Sequence, residues 1–587
     1  MGGAHPARPR PAHPEPEVAE TDRLLERGPR RRPGHEPGDD ADSIGCRWTG
    51  FQDFALLPWW RKPSVLWLLA PFTLFTLAFG GIIVPKLNLI LDLVCQRYFS
   101  DESRGGVHGG RPVVLGGDNP QCRIPEVHKD VATFMLVINF VTGGLSAVVA
   151  PKLGHLSDRY GRRRLLALAS CGGLLAELIT ILAAKFPQAV DYRWMVLGAV
   201  FDGMTGSFTA GSLLSQSYTS DCTPPSKRAV SMGYIQACLF VGLAFGPLLA
   251  GYFVKWTGSL VSIFYVALGC HTFFVLFVGL VIPESLSAKR QAAARDKWQK
   301  EKEARALHVG SWLSTLLSSN PLAPLQILWP TGPGTSTRLR LNLVALATCD
   351  AIIFGAAFAV GPVIMLYAEY MFNWGNFETS RFISALSMAR VVVLMGLFPA
   401  INYFGRVRPA ARRHARLGTT PVERNFGADR LDVWIVRLAL VWEVLGCLGY
   451  ALGRSQELFI LCGMVTALGG LGSATIQAAV TKQVPTGRVG QILGAVGMMH
   501  ALARIVGPVV FNGIYAATVA TFPQAVFLAL CGLFVVALVV SLVVKPYVHW
   551  EETHDDEGEE EPLNRTQQLF DTTADTLPVD EGQVRVQ

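Results

Sequence analysis

The sequence predicts an all-α polytopic membrane protein of twelve transmembrane helices in two six-helix bundles. Three observations carry that prediction. Half of the 587 residues are hydrophobic and 17% are charged, and the apolar residues gather in blocks of about twenty, enough to cross roughly 30 Å of hydrocarbon as helix. Basic residues fall in alternate gaps between those blocks. A long polar segment, 284–340, divides the blocks six and six. Helix is the economical form for each block, because a lipid-exposed backbone has to satisfy its own hydrogen bonds.

Residues 1–63 form a tail rich in Pro, Arg and His, without the early apolar core of a secretory signal. It reads as disordered, ending in an interfacial anchor of Trp59 and Trp60 before Arg61 and Lys62. The first bundle, 64–283, holds spans at 64–91, 131–153, 165–186, 193–217, 229–254 and 259–282. The polar segment carries an amphipathic helix around Ala288–Leu307. The second bundle, 341–545, holds spans at 341–371, 379–403, 433–453, 456–480, 489–517 and 522–544. We number the spans one to twelve in chain order. A second tail, 546–587, opens with an acidic run through Glu561 that reads as solvated.

The formal net charge of +7 is explained by position rather than by a nucleic-acid partner. Arg8 to Lys62, Arg159 to Arg164, Lys227–Arg228, Lys289 to Arg340, Arg406 to Arg430 and Lys482–Arg488 share one side of an even-span topology. Positive charge is retained in the cytosol, so both termini are expected there. Most of the eleven cysteines are single residues in spans or cytosolic segments. Cys95 and Cys122 bracket the long non-cytosolic loop, where an oxidising compartment permits a disulfide; two independent thiols are the alternative. No cysteine–histidine cluster has zinc spacing, so no metal is expected, and no cofactor is implied. The chain has no Gly-Lys dipeptide, which excludes a P-loop ATPase. The one His-x4-Asp, His35 to Asp40, lies in the tail, so the chain is not expected to be an enzyme.

The halves share punctuation. Gly206-Ser207-Phe208-Thr209 in span four has a counterpart in Gly472-Ser473-Ala474-Thr475 of span ten. Gly246-Pro247 to Tyr252 in span five corresponds to Gly507-Pro508 to Tyr515 in span eleven. Repetition in the same order at corresponding spans supports two facing bundles.

Between spans two and three the chain reads Gly154-x3-Asp158-Arg159-x-Gly161-Arg162-Arg163. This pattern resembles the signature loop between helices two and three of the major facilitator superfamily. The resemblance implies a secondary transporter, a monomer in the lipid bilayer, in which this loop latches one of two alternating states. An acid among arginines suits that role, because it takes charge-assisted hydrogen bonds and caps a nearby helix N-terminus. The segment between spans eight and nine lacks the compact pattern, and no second latch is expected there. Gly233, Gly242, Gly246, Pro247 and Gly251 resemble the span-five motif of drug:proton antiporters, with Ala250 in place of one glycine. Such glycines let helices approach closely. Asp202 and the stretch Asp221 to Arg228 resemble the branch containing tetracycline exporters and the proton-coupled folate transporter. Ala199 stands where drug antiporters carry an arginine, so their proton relay is not carried over. Loop 96–130 and the span holding Asp350 resemble fungal members of the superfamily.

Ionisable residues deep in a membrane cost several kcal/mol, about 3 at the helix centre on insertion scales, unless paired or hydrated, which makes each a functional candidate. Asp202 in span four and Asp350 in span seven lie about nine residues from their entry points, near mid-bilayer at 1.5 Å per residue. In the fold the resemblance implies, spans one, four, seven and ten line the central cavity, so both aspartates are candidate proton carriers. Arg390 and Arg504 are their expected counter-charges or ligands for a substrate anion, and His500 shares a helix face with Arg504. Arg437, Glu443 and Glu177 fall on helices expected at the periphery, where helix pinning is the plainer reading. In the tail, Glu20-Thr21-Asp22-Arg23-Leu24-Leu25 resembles an acidic dileucine sorting signal. It implies an adaptor partner and favours a vacuolar or lysosomal membrane over the plasma membrane.

The function expected is therefore proton-coupled movement of a small organic solute by alternating access. A drug:proton exporter at the plasma membrane and a non-transporting receptor or scaffold of the same fold are the alternatives.

Overall fold

The computed structural model describes residues 47–48, 53–54, 56–100, 113–115, 119–122, 124–308, 322–374, 376–417, 422–423 and 425–551. The sorting residues Glu20, Leu24 and Leu25, and the tail from 552 onward, lie outside the described residues.

Among the described residues, ten helices are long and apolar enough to cross a membrane. Spans one to three are Val65–Ser100, Pro125–Tyr160 and Arg162–Lys185, and spans five to seven are Pro225–Thr257, Val261–Leu280 and Thr337–Phe372. Span eight begins as Asn376–Val392 and continues through two π-helical turns to Leu417. Spans nine to eleven are Arg430–Leu452, Gln456–Gln483 and Val489–Thr518. Two further passes complete twelve: a broken span four, Met195–Met204 plus Ser207–Cys222, and a short span twelve, Ala525–Ser541.

Several spans outrun their apolar blocks, because polar residues at the ends find partners. Span one continues past residue 91 to Ser100, where Asp92 is buried and accepts a hydrogen bond from Asn119 (2.9 Å). Cys95 is disulfide-bonded to Cys122 at a Cα separation of 5.6 Å. That end of the molecule is called the disulfide end here. The opposite end, where Arg162, Arg228 and Arg406 cluster, is the basic end.

Close helix approach is set by small residues. A Cβ on Gly242 of span five would overlap the Thr76 backbone of span one, and one on Gly246 would overlap the backbone of Gly80 and Gly81. Gly233 faces Phe398 of span eight instead, and Pro247 lies inside the span-five helix. Gly251 takes no part in this packing; it is exposed, and a Cβ there would meet nothing within 4 Å. Between the halves, span two packs along span eleven, and span five packs against spans eight and ten.

At the basic end the chain after span twelve straps the second bundle together. Tyr547, Trp550 and Glu551 donate backbone hydrogen bonds to the carbonyls of Ala428 (2.7 Å), Gln483 (2.9 Å) and Gly334 (3.1 Å). The helix Ala288–His308 joins the halves and lays Trp298 under the Arg159 guanidinium at 4.3 Å.

Candidate functional site

Span four is broken by its own sequence. Gly206 (φ +85°) and Ser207 (φ +55°) adopt left-handed conformations that end one half-helix and start the next. Ser146 Oγ of span two donates to the Gly206 carbonyl (2.7 Å), which also accepts the first bond of the second half-helix from the Ala210 amide (2.9 Å), tying the break to span two. Asp202 is thereby left in the last turn of the first half-helix, accepting a hydrogen bond from Ser207 Oγ (2.8 Å) near the positive end of the second. It lines a cavity of about 330 Å³ together with Lys86 of span one, Glu177 of span three, His271 of span six and Arg504 of span eleven. Stacked rings form the apolar wall: Phe79 on Phe208 (5.0 Å) and Phe75 on Phe274 (4.9 Å).

Asp350 lies in the other half and is fully buried. Its Oδ1 accepts from Ser473 Oγ (2.7 Å), and its Oδ2 faces Gln477 Nε2 (3.2 Å) and His500 Nε2 (2.9 Å). The His500 ring stacks on Phe354 at 4.0 Å. Ser473 also accepts from Gln236 of span five (3.2 Å), so this cluster reaches the first bundle. Ser207 and Ser473, which follow the repeated glycines of spans four and ten, therefore each bond the aspartate of their own half, Asp202 half-buried and Asp350 fully buried.

The basic end is closed by two charged clusters. In the first, Asp158 accepts from the backbone amides of Gly490 (2.9 Å) and Gln491 (3.0 Å), which cap the start of span eleven. Arg162 is wholly buried and bridges Asp158 (2.7 Å) and Asp221 (2.8 Å). Glu284, four residues past span six, accepts from the amides of Arg162 (2.7 Å) and Arg163 (3.2 Å), capping span three. Burial pushes the Glu284 carboxyl up from its usual range, and these hydrogen bonds pull it partly back. Gly161 turns the chain with φ +95°, and Gly154 touches the backbone of Gly490. Arg159 lies outside this cluster, beside His155 (2.7 Å) and over Trp298.

The second cluster corrects the expectation that the segment between spans eight and nine holds no comparable arrangement. Arg406 bonds Asp429 (2.7 Å), Asp432 (2.6 Å) and Asn402 (2.7 Å), and Lys482 bonds Asp432 (2.6 Å). Arg406 also donates to the Ser226 carbonyl of span five (2.8 Å), which ties the second half to the first. The long connecting segment separates these residues in sequence and hides the pattern.

The expectations for Arg390, His500, Glu177 and Glu443 change. Arg390 does not pair with Asp350; its guanidinium lies 5.0 Å over the Phe240 ring, and Glu443 is its charged neighbour. Arg504 turns toward Asp202 and over Phe358 (5.5 Å), while His500, one turn earlier, turns to Asp350. Glu177 is not peripheral but faces the cavity, paired with His271 (3.1 Å). Glu443 is buried against Gly469 of span ten. Arg437 bonds the carbonyls of Leu542 (3.4 Å) and Val544 (3.2 Å), where span twelve ends. Lys86 and His271 stand as single polar residues in the apolar blocks of spans one and six, and no motif in the sequence marks them.

The chain has known relatives. The family model described as Major Facilitator Superfamily matches residues 123–419 and 426–574. An MFS-type transporter, avaJ, of Aspergillus versicolor is 28% identical over 505 residues, 85% of this chain and 91% of that protein. The proton-coupled folate transporter of Rattus norvegicus is 23% identical over 403 residues, 68% of this chain and 76% of that protein. In fold, the chain resembles the human organic anion transporter MFSD10 (TETRAN) with a TM-score of 0.59 at 17% identity, covering 82% of this chain and 100% of that one. Both of these sequence relatives are transporters by name. The chain belongs to the major facilitator superfamily of membrane transporters.

Proposed function

We propose that the protein is a proton-coupled secondary transporter that moves a small organic solute by alternating access, with the basic end in the cytosol. The observation that carries this reading is the matched pair of aspartates, Asp202 half-buried and Asp350 fully buried. Asp202 and Asp350 sit one in each half, and each is held by the serine of the repeated Gly-Ser. A carboxyl with that environment can take up and release a proton, and its charge state then decides which neighbours it holds. Asp350 is linked through Ser473 to Gln236 of the opposite half, so protonation at Asp350 bears directly on a contact between the halves. Asp158 and Arg406 hold the basic end shut, and their contacts across the halves must break for it to open. The cavity beside Asp202 is the proposed solute site, with Arg504 as its polar anchor and Arg390 acting outside it. The proton-coupled relative supports the choice of proton as driving ion.

The tail signal at Glu20, Leu24 and Leu25 supports delivery by a sorting adaptor to a vacuolar or lysosomal membrane, with both termini cytosolic. An untargeted comparison of vacuolar contents with and without the protein identifies the solute. Proteoliposomes with an imposed pH gradient then give coupling and direction. Solute flux indifferent to the gradient would rule the reading out.

A further inference from the structure

The cavity beside Asp202 extends from the interface of the halves into the first bundle, where it reaches the Glu177–His271 pair. His271 Nδ1 lies 3.1 Å from Glu177 Oε1. When Glu177 is a carboxylate it can only accept, so in that state Nδ1 carries the hydrogen and the lone pair of Nε2 is left free. His271 is 5% exposed. Its Nε2 and the Glu177 Oε2 are both buried without a hydrogen-bond partner. Buried polar atoms in proteins nearly always have one, and these two face the same cavity from one pair.

The site is shaped for the ring. Residue 173, one turn before Glu177, is glycine, and a Cβ there would come within 2.6 Å of His271 Cε1. Phe75 closes the ring edge at 4.9 Å. The charged and titratable groups facing the pair are Lys86 of span one, Asp202 of span four, Arg504 of span eleven and the neighbouring thiol of Cys270. Lys86 feels the charges of Asp202, Glu177 and Arg504. Formally the two cations balance the two carboxylates, so a single added proton takes the lobe from neutral to one net positive charge.

We propose that the Glu177–His271 pair is a proton-binding site of its own, distinct from Asp202 and Asp350. Hydronium in the cavity gives its proton to His271 Nε2 and leaves as water, and Glu177 holds the imidazolium through the Nδ1 hydrogen bond. The lobe then carries one net positive charge between phenylalanine walls, which favours an anionic solute with an apolar body. This rests on the reading of the protein as a proton-coupled carrier and adds a third titrating group to it.

The test needs no solute. Full-length protein in proteoliposomes on a solid-supported membrane is stepped from about pH 7.5 to about pH 5.5, across the range in which histidine titrates, and the displaced charge is recorded. The variant carrying Asp202→Asn and Asp350→Asn is expected to keep part of the wild-type displacement, and adding His271→Gln to remove the remainder. Glu177→Gln keeps the shape but not the charge, so the midpoint of the remaining component moves down by about one pH unit or more. No remaining displacement in the double aspartate variant, or an unchanged signal in His271→Gln, overturns the proposal. If His271→Gln fails to fold, by melting and elution profile, an unmoved midpoint in Glu177→Gln overturns it instead. The broader reading fails separately, when wild-type solute flux ignores the pH gradient.

Discussion

Replacing Asp158 with alanine should open the basic end. The carboxylate accepts two backbone hydrogen bonds from the opposite half, at 2.9 Å and 3.0 Å. Hydrogen bonds to a charged group contribute about 1.5–3 kcal/mol each, so these two favour the closed arrangement by about 3–6 kcal/mol. At about 1.4 kcal/mol per tenfold, Asp158→Ala shifts the ratio of closed to open molecules by roughly a hundredfold to ten-thousandfold. Asp158→Asn keeps one neutral acceptor of about half the strength and should fall between wild type and alanine. Double electron–electron resonance reads the shift directly, with nitroxides at Arg164→Cys and Thr486→Cys. Both positions are exposed and lie on opposite halves at this end. Wild type is expected to give mainly the shorter distance, and Asp158→Ala mainly a longer one. An alanine variant with the wild-type distribution would refute the claim that Asp158 holds the halves together.

Other perturbations separate the remaining contacts. Arg406→Ala strips a buried network of its main cation, and breaking a buried pair costs about 3–5 kcal/mol. Its melting temperature should fall clearly, and an unchanged one would mean that the cluster contributes little. Gly154→Ala places a methyl group on the Gly490 backbone. Overpacking of that kind costs about 1–3 kcal/mol, so the variant should populate the longer distance between positions 164 and 486; a wild-type distribution would contradict the close approach. Cys95→Ser releases a disulfide spanning 27 residues of sequence, worth about 3–4 kcal/mol by loop length. Its lowered melting temperature should match that of reduced wild type, and reductant should do nothing further to the variant.

What was legible in the sequence follows the range of each interaction. The spans could be read because lipid imposes a minimum apolar length whatever the tertiary contacts. The Asp158 loop could be read because its residues lie within ten positions of one another. The break in span four could have been suspected from Gly203 and Gly206, but an apolar block tolerates glycine without breaking, so composition alone does not decide it. The partners of the buried charges were harder to see. His271 and Glu177 are 94 residues apart, and each reads as an isolated polar residue on a peripheral helix. Lys86 lies near the end of an apolar block, where a lysine normally snorkels to the interface; only the fold turns it toward Asp202. Arg390 and Arg504 look equivalent in sequence. Helix rotation alone sends Arg390 over Phe240 and Arg504 into the cavity.

The central claim is that protons drive transport through Asp202 and Asp350. Its most direct test compares two fluxes in the same proteoliposomes: uphill accumulation driven by a pH gradient, and solute exchange without one. The account predicts that Asp202→Asn or Asp350→Asn abolishes accumulation while exchange persists, since a neutral side chain keeps the site but cannot cycle a proton. Full accumulation in both variants would contradict it.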